Sequence, residues 1–510
     1  MRKYAPLVLG LFLFAVPSAR SDQPQGKVVE DAWEVIQLGG YRVGHFHTLT
    51  REFEVKGGNV LRTTGRLELT LKRSGAATKL QLETGTDETP EGKVLGVSMR
   101  MDQGGRDLVQ IGTVEEKGLH VKVNGTQIDK FVPWNEDVIG LYQQDRICKA
   151  KKVKPGDTFS FSSYEPSITA VVTVRGKVGR AEEVGTPKGK KKLLRVELTS
   201  DPINVPKPGS DQTFKLQLPK MVLWLDKDLL PVRRQTDLPG LGTIVMMRTD
   251  RESATAPVEQ VPDILANTTI ALNRAIANPH YTRNVVYRVT VKDDDDPTTA
   301  LAQDARQTIK NAKGDTFELH VKAVRSPAKV EKPDAPAGDE YLKSCYYLDC
   351  DNARVMKLAE EAVGDATDPL KKARRVERWV CDNVRNDNQA ALAPASEIAK
   401  GLKGDCRQHA LLAAAMCRAA GVPSRTAVGL VYGTDRRGNP VMAYHMWAEV
   451  WVSGQWLAID GTLGQGSIGA AHVKIADQSW YDTQSLTPLL AVARVLDKLK
   501  IEVVSVNADE

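Results

Sequence analysis

Residues 404–410 read Gly-Asp-Cys-Arg-Gln-His-Ala and stand at the head of an apolar run, 411–420, that stops at Gly421-Val422-Pro423. Alanine and leucine dominate the run, and Gly-Val-Pro supplies a stop, so 406–420 predicts a buried helix of about four turns. Cys406 then sits in the first turn. The unpaired backbone N–H groups and the positive end of the helix dipole there favour a thiolate. Gly404 allows a tight approach of the chain just before the helix. By itself, such a cysteine serves equally well as a small buried hydrophobe.

Downstream residues narrow the choice. Residues 424–432 are strand-like, and a charged, glycine-containing loop (433–440) leads to Tyr444-His445-Met446-Trp447-Ala448-Glu449-Val450-Trp451-Val452. Ser453-Gly454 predicts a two-residue hairpin turn into Gln455-Trp456-Leu457-Ala458-Ile459-Asp460. If Val452 pairs with Gln455, Trp451 faces Trp456 and Trp447 faces Asp460. Alternation then puts His445, Trp447, Glu449 and Trp451 on one face with Asp460, Ala458 and Trp456. Met446, Ala448, Val450, Leu457 and Ile459 form the other face, which is plain core. Asp460 becomes the diagonal neighbour of His445, close enough to hydrogen-bond. A nucleophile at a helix start and a base oriented by a carboxylate on neighbouring strands is the logic of Cys-His-Asp catalysis.

These three motifs, Gly-Asp-Cys406 with its Gly-Val-Pro-Ser-Arg exit, His445-Met-Trp-Ala-Glu-Val and Trp-Leu-Ala-Ile-Asp460-Gly-Thr462, resemble the bacterial transglutaminase-like superfamily. The resemblance covers roughly residues 345–485, including Gly464-Gln465 and His472-Val473-Lys474. It implies a papain-like α+β core with Cys406, His445 and Asp460 as the catalytic triad. It implies a Cys406 thioester, with His445 shuttling the proton and Asp460 holding the imidazole tautomer. The backbone N–H of Cys406 is one oxyanion donor. A papain-like glutamine six residues before the cysteine is absent, since position 400 is Lys. The second donor stays open between a backbone amide and a ring such as Trp379 or Trp447. His409, three residues after Cys406, is a rival base by helical spacing, though nothing orients it as Asp460 can orient His445, and a capping or packing role is the alternative. His472 matches the family pattern and is assigned a structural role.

A chain of 510 residues exceeds one ordinary core. The expected division is a leader over 1–21, a β-rich antiparallel sheet or half-barrel of about ten strands over 22–258, a small α/β domain with linker over 259–340, and a transglutaminase-like catalytic domain over 341–510. Within the first part Asn124-Gly125 marks a hairpin, and Lys188 to Lys192 reads as a solvated hairpin tip. His45 and His47 share a strand face but lack a visible third metal ligand, so a solvated strand is expected. Next, 264–276 has helical spacing, 284–292 and 317–324 are strands, and 326–338 is a Pro- and Ala-rich connection. The four aspartates 293–296 lack the spacing and glycine of a calcium loop and predict an exposed turn. Helices are expected over 352–363, 369–383 and 486–498, with a closing strand at 501–506. The first two should pack against the Cys406 helix, with Val376, Trp379, Val380 and Val384 on one face.

A formal charge of +6, set against 70 Lys and Arg and 64 Asp and Glu, does not call for nucleic acid. No cofactor or metal is implied. Six cysteines are too few for a disulfide scaffold. Cys345 and Cys350 are near enough to bridge or equally to remain free, and Cys417 reads as core. The expected partner is a peptide or protein substrate, with an amine acceptor if a transfer occurs; oligomeric state is not legible. Three function classes stand: a cysteine enzyme acting on peptide, isopeptide or glutamine amides; a non-catalytic peptide-binding module on the same fold; and an exported ligand carrier. Arg2-Lys3, the apolar run 7–16 and Pro17-Ser18-Ala19 form a secretory signal pattern too short to span a bilayer stably. The expected location is therefore periplasmic or secreted. The mature chain should begin near Arg20 to Asp22; N-terminal sequencing of protein from its native host that returned Met1 would refute this.

Overall fold

The computed structural model describes residues 26–507 except 56–57, 74–75, 103–106, 124–125, 207–212, 239–241, 259–268, 328–336, 389, 391, 467 and 482–489. The leader therefore lies outside the described residues, as do most of the 326–338 connection and the first part of the 486–498 helix. Among the described residues no helix is long and apolar enough to cross a membrane.

The N-terminal part is one antiparallel sheet of fourteen strands. Lys27–Leu38 lies inside it, between Tyr41–Val55 and Gly242–Thr249. Successive hairpins run outward on one side to Thr126–Val132. On the other side the order passes through Pro231–Leu238, Met221–Leu225, Gly189–Ser200 and Ala170–Thr186 to Thr158–Glu165. The expected antiparallel sheet is present, with fourteen strands in place of about ten. Strands such as Ala76–Glu88, whose large apolar residues are Leu80 and Leu82 alone, carry little alternation to reveal them. The apolar residues form several small clusters along the sheet; one contains Ile36, Leu38, Val43 and Leu69. Short helices, Leu141–Gln144 and Ile147–Ala150, cover part of it, and Cys148 is buried there with Val178 and Val196. Glu34 points into this interior and pairs with Arg234, which also holds Asp145 at 2.7 Å. Thr186 pairs with Gly189 at the lysine-rich tip, where Lys190 is exposed. His47 hydrogen-bonds Asp31 at 2.9 Å and stacks on Trp33. No cluster of three metal ligands forms there among the described residues.

The C-terminal part is α+β. Its central sheet runs Thr269–Ala271, Pro440–Val452, Ser424–Thr434, His472–Gln478, with Gln455–Ile459 also paired to Pro440–Val452. The helix expected over 264–276 is therefore corrected. Its described residues include a short edge strand, because Thr269 to Ala271 find backbone partners in Ala443 to Val441. A second sheet, Gln307–Lys313, Thr316–Lys322, Asn284–Val291 and Leu499–Val506, draws strands from both sides of the Cys406 helix in sequence. One apolar cluster runs from Leu272 to Val503, so a cut at residue 340 passes through a shared core.

At its centre lies Cys406–Ala419, with Ala410 through Cys417 all buried. Helices Ala353–Val363 and Pro369–Asn383 pack on it. Their N-caps, Asn352 and Asp368, accept from Arg354 N and Lys371 N. All six cysteines are free.

The aspartate run departs from the expected exposed turn at one residue. Asp294 is half-buried and takes both arms of Arg494, at 2.7 and 2.8 Å, with side-chain exposures of 6% and 8%. Neither residue reveals this locally, since they are 200 positions apart. Arg494→Ala would leave Asp294 only the Asp296 N–H at 3.0 Å and should cost about 1–3 kcal/mol, measured by urea unfolding. A loss below about 1 kcal/mol, the level of an exposed pair, would contradict the assignment.

Candidate active site

The Cys406 helix begins with a reciprocal cap. Asp405 accepts from Arg407 N at 2.9 Å, while Gln408 Oε1 accepts from Asp405 N at 3.0 Å. The chain must pass close to Gln408 to make this cap, and a Cβ on residue 404 would lie 2.3 Å from the Gln408 Cβ. Glycine is required there on contact grounds. The cap leaves the Cys406 N–H at the open end of the helix, without an intrahelical acceptor.

Strand Pro440–Val452 and strand Gln455–Ile459 pair in the expected register, Val452 with Gln455 and Trp451 with Trp456. Ser453 and Gly454 both have positive φ, 52° and 82°, which suits the twist of a two-residue hairpin. The ladder ends at Ala448 and Ile459, leaving Asp460 one step beyond. His445 Nε2 donates to Asp460 Oδ2 at 2.8 Å, with side-chain exposures of 7% and 2%. Cys406 is the other neighbour whose influence raises the His445 pKa. With Nε2 engaged by Asp460, Nδ1 is the nitrogen left for the sulfur. Burial opposes charge on His445, but the Asp460 carboxylate and its hydrogen bond overcome this and push the imidazole up to about 10. Burial likewise opposes the Asp460 charge. The His445 charge and hydrogen bond, with a further bond from His472, outweigh it and hold Asp460 well below the usual carboxylate range.

The other singled-out residues are placed as follows. His409 is buried with Nδ1 2.8 Å from Asp405 O and Nε2 3.2 Å from Val384 O, so both nitrogens face carbonyls and the ring packs the helix start. Trp379 donates to Glu361 at 3.1 Å, so its N–H is already engaged rather than offered to an oxyanion. Trp447 is fully buried against Ala427, Ala458 and Ile468, stacked 6.3 Å from His445, and its indole N–H has no partner. It walls the imidazole from behind. His472 reaches further than a packing role: its Nε2 lies 3.2 Å from Asp460 Oδ2.

One residue escapes the sequence reading altogether. Glu377 Oε1 accepts from Asp460 N at 3.0 Å and Gly466 N at 3.2 Å, tying the aspartate loop to helix Pro369–Asn383. The loop lies directly on that helix, since a Cβ at Gly461 would be 2.8 Å from Val380. A signal existed: Glu377 falls in the buried stripe Ala373, Val376, Val380, where a charge needs a reason. On the strand side, Lys474 is fully buried and bonds Asp304, Glu449 and Asp477, each at 2.9 Å. Arg425 joins Glu449 and Asp477 at 2.8 Å. Burial disfavours the Lys474 charge, but the three acids surrounding it raise its pKa.

His445, Asp460 and His472 bring their ligand atoms within 4.8 Å of one another. As a metal centre the cluster lacks support. Both imidazoles would have to turn Nε2 lone pairs inward, and His472 Nδ1, buried without a partner, has no acceptor for the displaced proton. The donor set fits a hydrogen-bond relay.

Residues 356–461 match the profile of the transglutaminase-like superfamily, a span that includes Cys406, His445 and Asp460. The C-terminal part of the chain carries a transglutaminase-like domain. Kyphoscoliosis peptidase of Mus musculus is 29% identical over 153 residues, 28% of this chain and 22% of its own. An uncharacterized protein of Haemophilus influenzae is 31% identical over 103 residues, 19% of this chain and 28% of its own. The chain thus matches about a quarter of the length of these relatives. Among solved structures, the periplasmic domain of TgpA from Pseudomonas aeruginosa is similar at 13% identity over 61% of this chain and 86% of that one, with a TM-score of 0.23. A β-barrel-like protein from Brucella abortus is similar at 11% identity over 44% of this chain and 98% of its own, with a TM-score of 0.31.

Within the transglutaminase-like domain, burial pushes the Glu377 carboxyl up to about 7 from 4.5; the nearby Asp460 adds to this, and the two backbone N–H donors oppose it. The folded state therefore holds this proton more tightly than the unfolded chain. Its contribution to stability is full below about pH 4.5 and is lost as pH climbs through about 7. Glu377→Gln keeps an acceptor for both N–H groups but cannot titrate. Between those pH values its stability relative to wild type should improve by on the order of 3 kcal/mol, read from urea unfolding. Parallel pH profiles for the two proteins would refute the titration.

Proposed function

We propose that the transglutaminase-like domain is a cysteine enzyme that cleaves or transfers at peptide, isopeptide or glutamine amide bonds through a Cys406 thioester. The observation that carries this reading is the His445 ring, bonded through Nε2 to Asp460 at 2.8 Å with Cys406 as a neighbour that raises its pKa further. Transfer of the Cys406 proton to His445 Nδ1 precedes attack, and the sulfur adds to the amide carbonyl carbon as a thiolate beside the imidazolium. The resulting oxyanion faces the Cys406 N–H at the helix start. Collapse breaks the C–N bond, and the amine leaves with the proton from His445. Water or a second amine then gives a proton to His445 and attacks the thioester, and the regenerated thiolate recovers the proton. Asp460 keeps the imidazole in one tautomer and offsets its charge throughout. The Arg2-Lys3 start and the short apolar run after it support an extracytoplasmic location for this chemistry.

Cys406→Ala should abolish thioester formation and iodoacetamide labelling at residue 406 while leaving the fold intact. His445→Ala should be nearly as severe, and Asp460→Asn should lose on the order of tenfold to ten-thousandfold. The assay incubates wild-type protein with a glutamine-containing peptide mixture, with and without a primary amine. Cleaved peptides identify a peptidase, released ammonia a deamidase, and amine-modified peptides a transferase. Absence of product, together with equal peptide binding by wild type and Cys406→Ala, would replace the enzyme by a peptide-binding module.

A further inference from the structure

The triad carboxylate serves two imidazoles. Asp460 Oδ2 lies 2.8 Å from His445 Nε2 and 3.2 Å from His472 Nε2, while Oδ1 accepts from Thr462 N at 2.9 Å and Leu463 N at 3.3 Å. Four donors fill the roughly four lone-pair sites of a carboxylate. Asp460 therefore cannot swing away from His445 without breaking a bond to His472 as well.

His472 can only be a neutral donor in this place. It is 0% exposed, and burial, reinforced by the nearby His445 and Arg306 charges, brings its pKa down to about 4 despite the Asp460 bond. An ionised carboxylate only accepts, so the single imidazole proton sits on Nε2. Nδ1 is then a bare lone pair, consistent with its having no partner. The ring is held from several sides. Its strand residue pairs with Val431, and its carbonyl oxygen accepts from Arg306 at 3.4 Å. The Trp447 ring meets it at 88° and 5.5 Å, and His280 at 6.1 Å. Two residues on, Gln307 brackets Lys474, accepting from its N at 2.9 Å and donating to its O at 2.7 Å.

We propose that His472 is a positioning residue for the triad: it fixes the Asp460 carboxylate by a second imidazole hydrogen bond and, by sharing Oδ2, moderates the hold of Asp460 on His445. This rests on the triad reading above. Its consequence is a balance. A carboxylate bonded to His445 alone would keep the imidazolium too strongly charged to protonate a departing amine readily. The second donor draws off part of that basicity.

The groups facing His445 are Asp460, Cys406, His472 and His280; those facing His472 are Asp460, His445, Arg306 and His280; and Glu377 stands behind Asp460. A side chain lacking a donor at position 472 loses the bond to Asp460 but keeps the Arg306 bond, which goes to the backbone oxygen. The test follows the His445 ring by NMR of histidine-labelled full-length protein carrying Cys406→Ala, which needs no substrate and so can succeed or fail independently of the enzyme reading. His472→Leu should raise the His445 midpoint by about one pH unit, and His472→Gln, which retains an N–H, should keep it within a few tenths. On the Cys406 background, if turnover is found, His472→Leu should lower kcat at least tenfold with little change in KM, and move the alkaline limb of kcat/KM upward, while Gln restores both. An unchanged or lowered midpoint in a folded Leu protein overturns the proposal, as does a Gln protein that behaves like Leu. If Leu does not fold, the Gln protein decides alone: a retained midpoint supports the proposal and a shifted one overturns it.

Discussion

A carboxylate that is 1% exposed stays ionised only when other donors replace the water it has lost, and Asp460 is such a group. Its donors come from separate pieces of the chain. His445 arrives on the long hairpin strand, His472 on the strand across the sheet, and Thr462 and Leu463 from the loop that Asp460 itself begins. Glu377 then fixes that loop from the helix behind it. The geometry at Cys406 is downstream of this convergence. The sulfur can count on a charged imidazole only because the aspartate is held in place.

The same face of the sheet is braced by charge. Lys474 and Arg425 knit Glu449, Asp477 and Asp304 into one buried network, two residues along their strands from Trp447 and His472. Buried pairs of this kind contribute little net stability but penalise any shift that unpairs one member. Asp304 and Gln307 belong to the segment before the Cys406 helix, outside the 356–461 match. The strands around that match therefore do part of the work of keeping the site in register.

What could be read from the sequence follows the range over which each signal acts. The helix at Cys406 is announced within some fifteen residues by its composition and its stop. The hairpin is announced by Ser453-Gly454 and by alternation, and its register then delivers the His445–Asp460 pair. Trp379 and Trp447 were plausible oxyanion donors by residue type, but their direction depends on packing that local spacing does not encode. Asp294 with Arg494, and Glu377 with the Asp460 loop, join positions 200 and 83 apart. Each was visible only as a charge in a segment that gave no partner. The fourteen-stranded sheet hides for another reason. Thr- and Gly-rich strands half-exposed to solvent show no strong period, and their pairing is set by neighbours rather than by their own pattern.

The closing strand, Leu499–Val506, lies antiparallel to Asn284–Val291, and the Cys406 helix is threaded between them in sequence. Synthesis from the N-terminus therefore delivers Cys406 on the order of a hundred residues before the strand that completes that sheet. The large N-terminal sheet, whose partners all lie within its own segment, can form while the remainder is still emerging. The second sheet must wait for Leu499–Val506, and the long loop that this strand closes makes the step slow. The loop that this pairing closes contains Cys406, His445, Asp460 and His472 together, so a chain cut before residue 499 would carry all four on a domain whose second sheet lacks an edge.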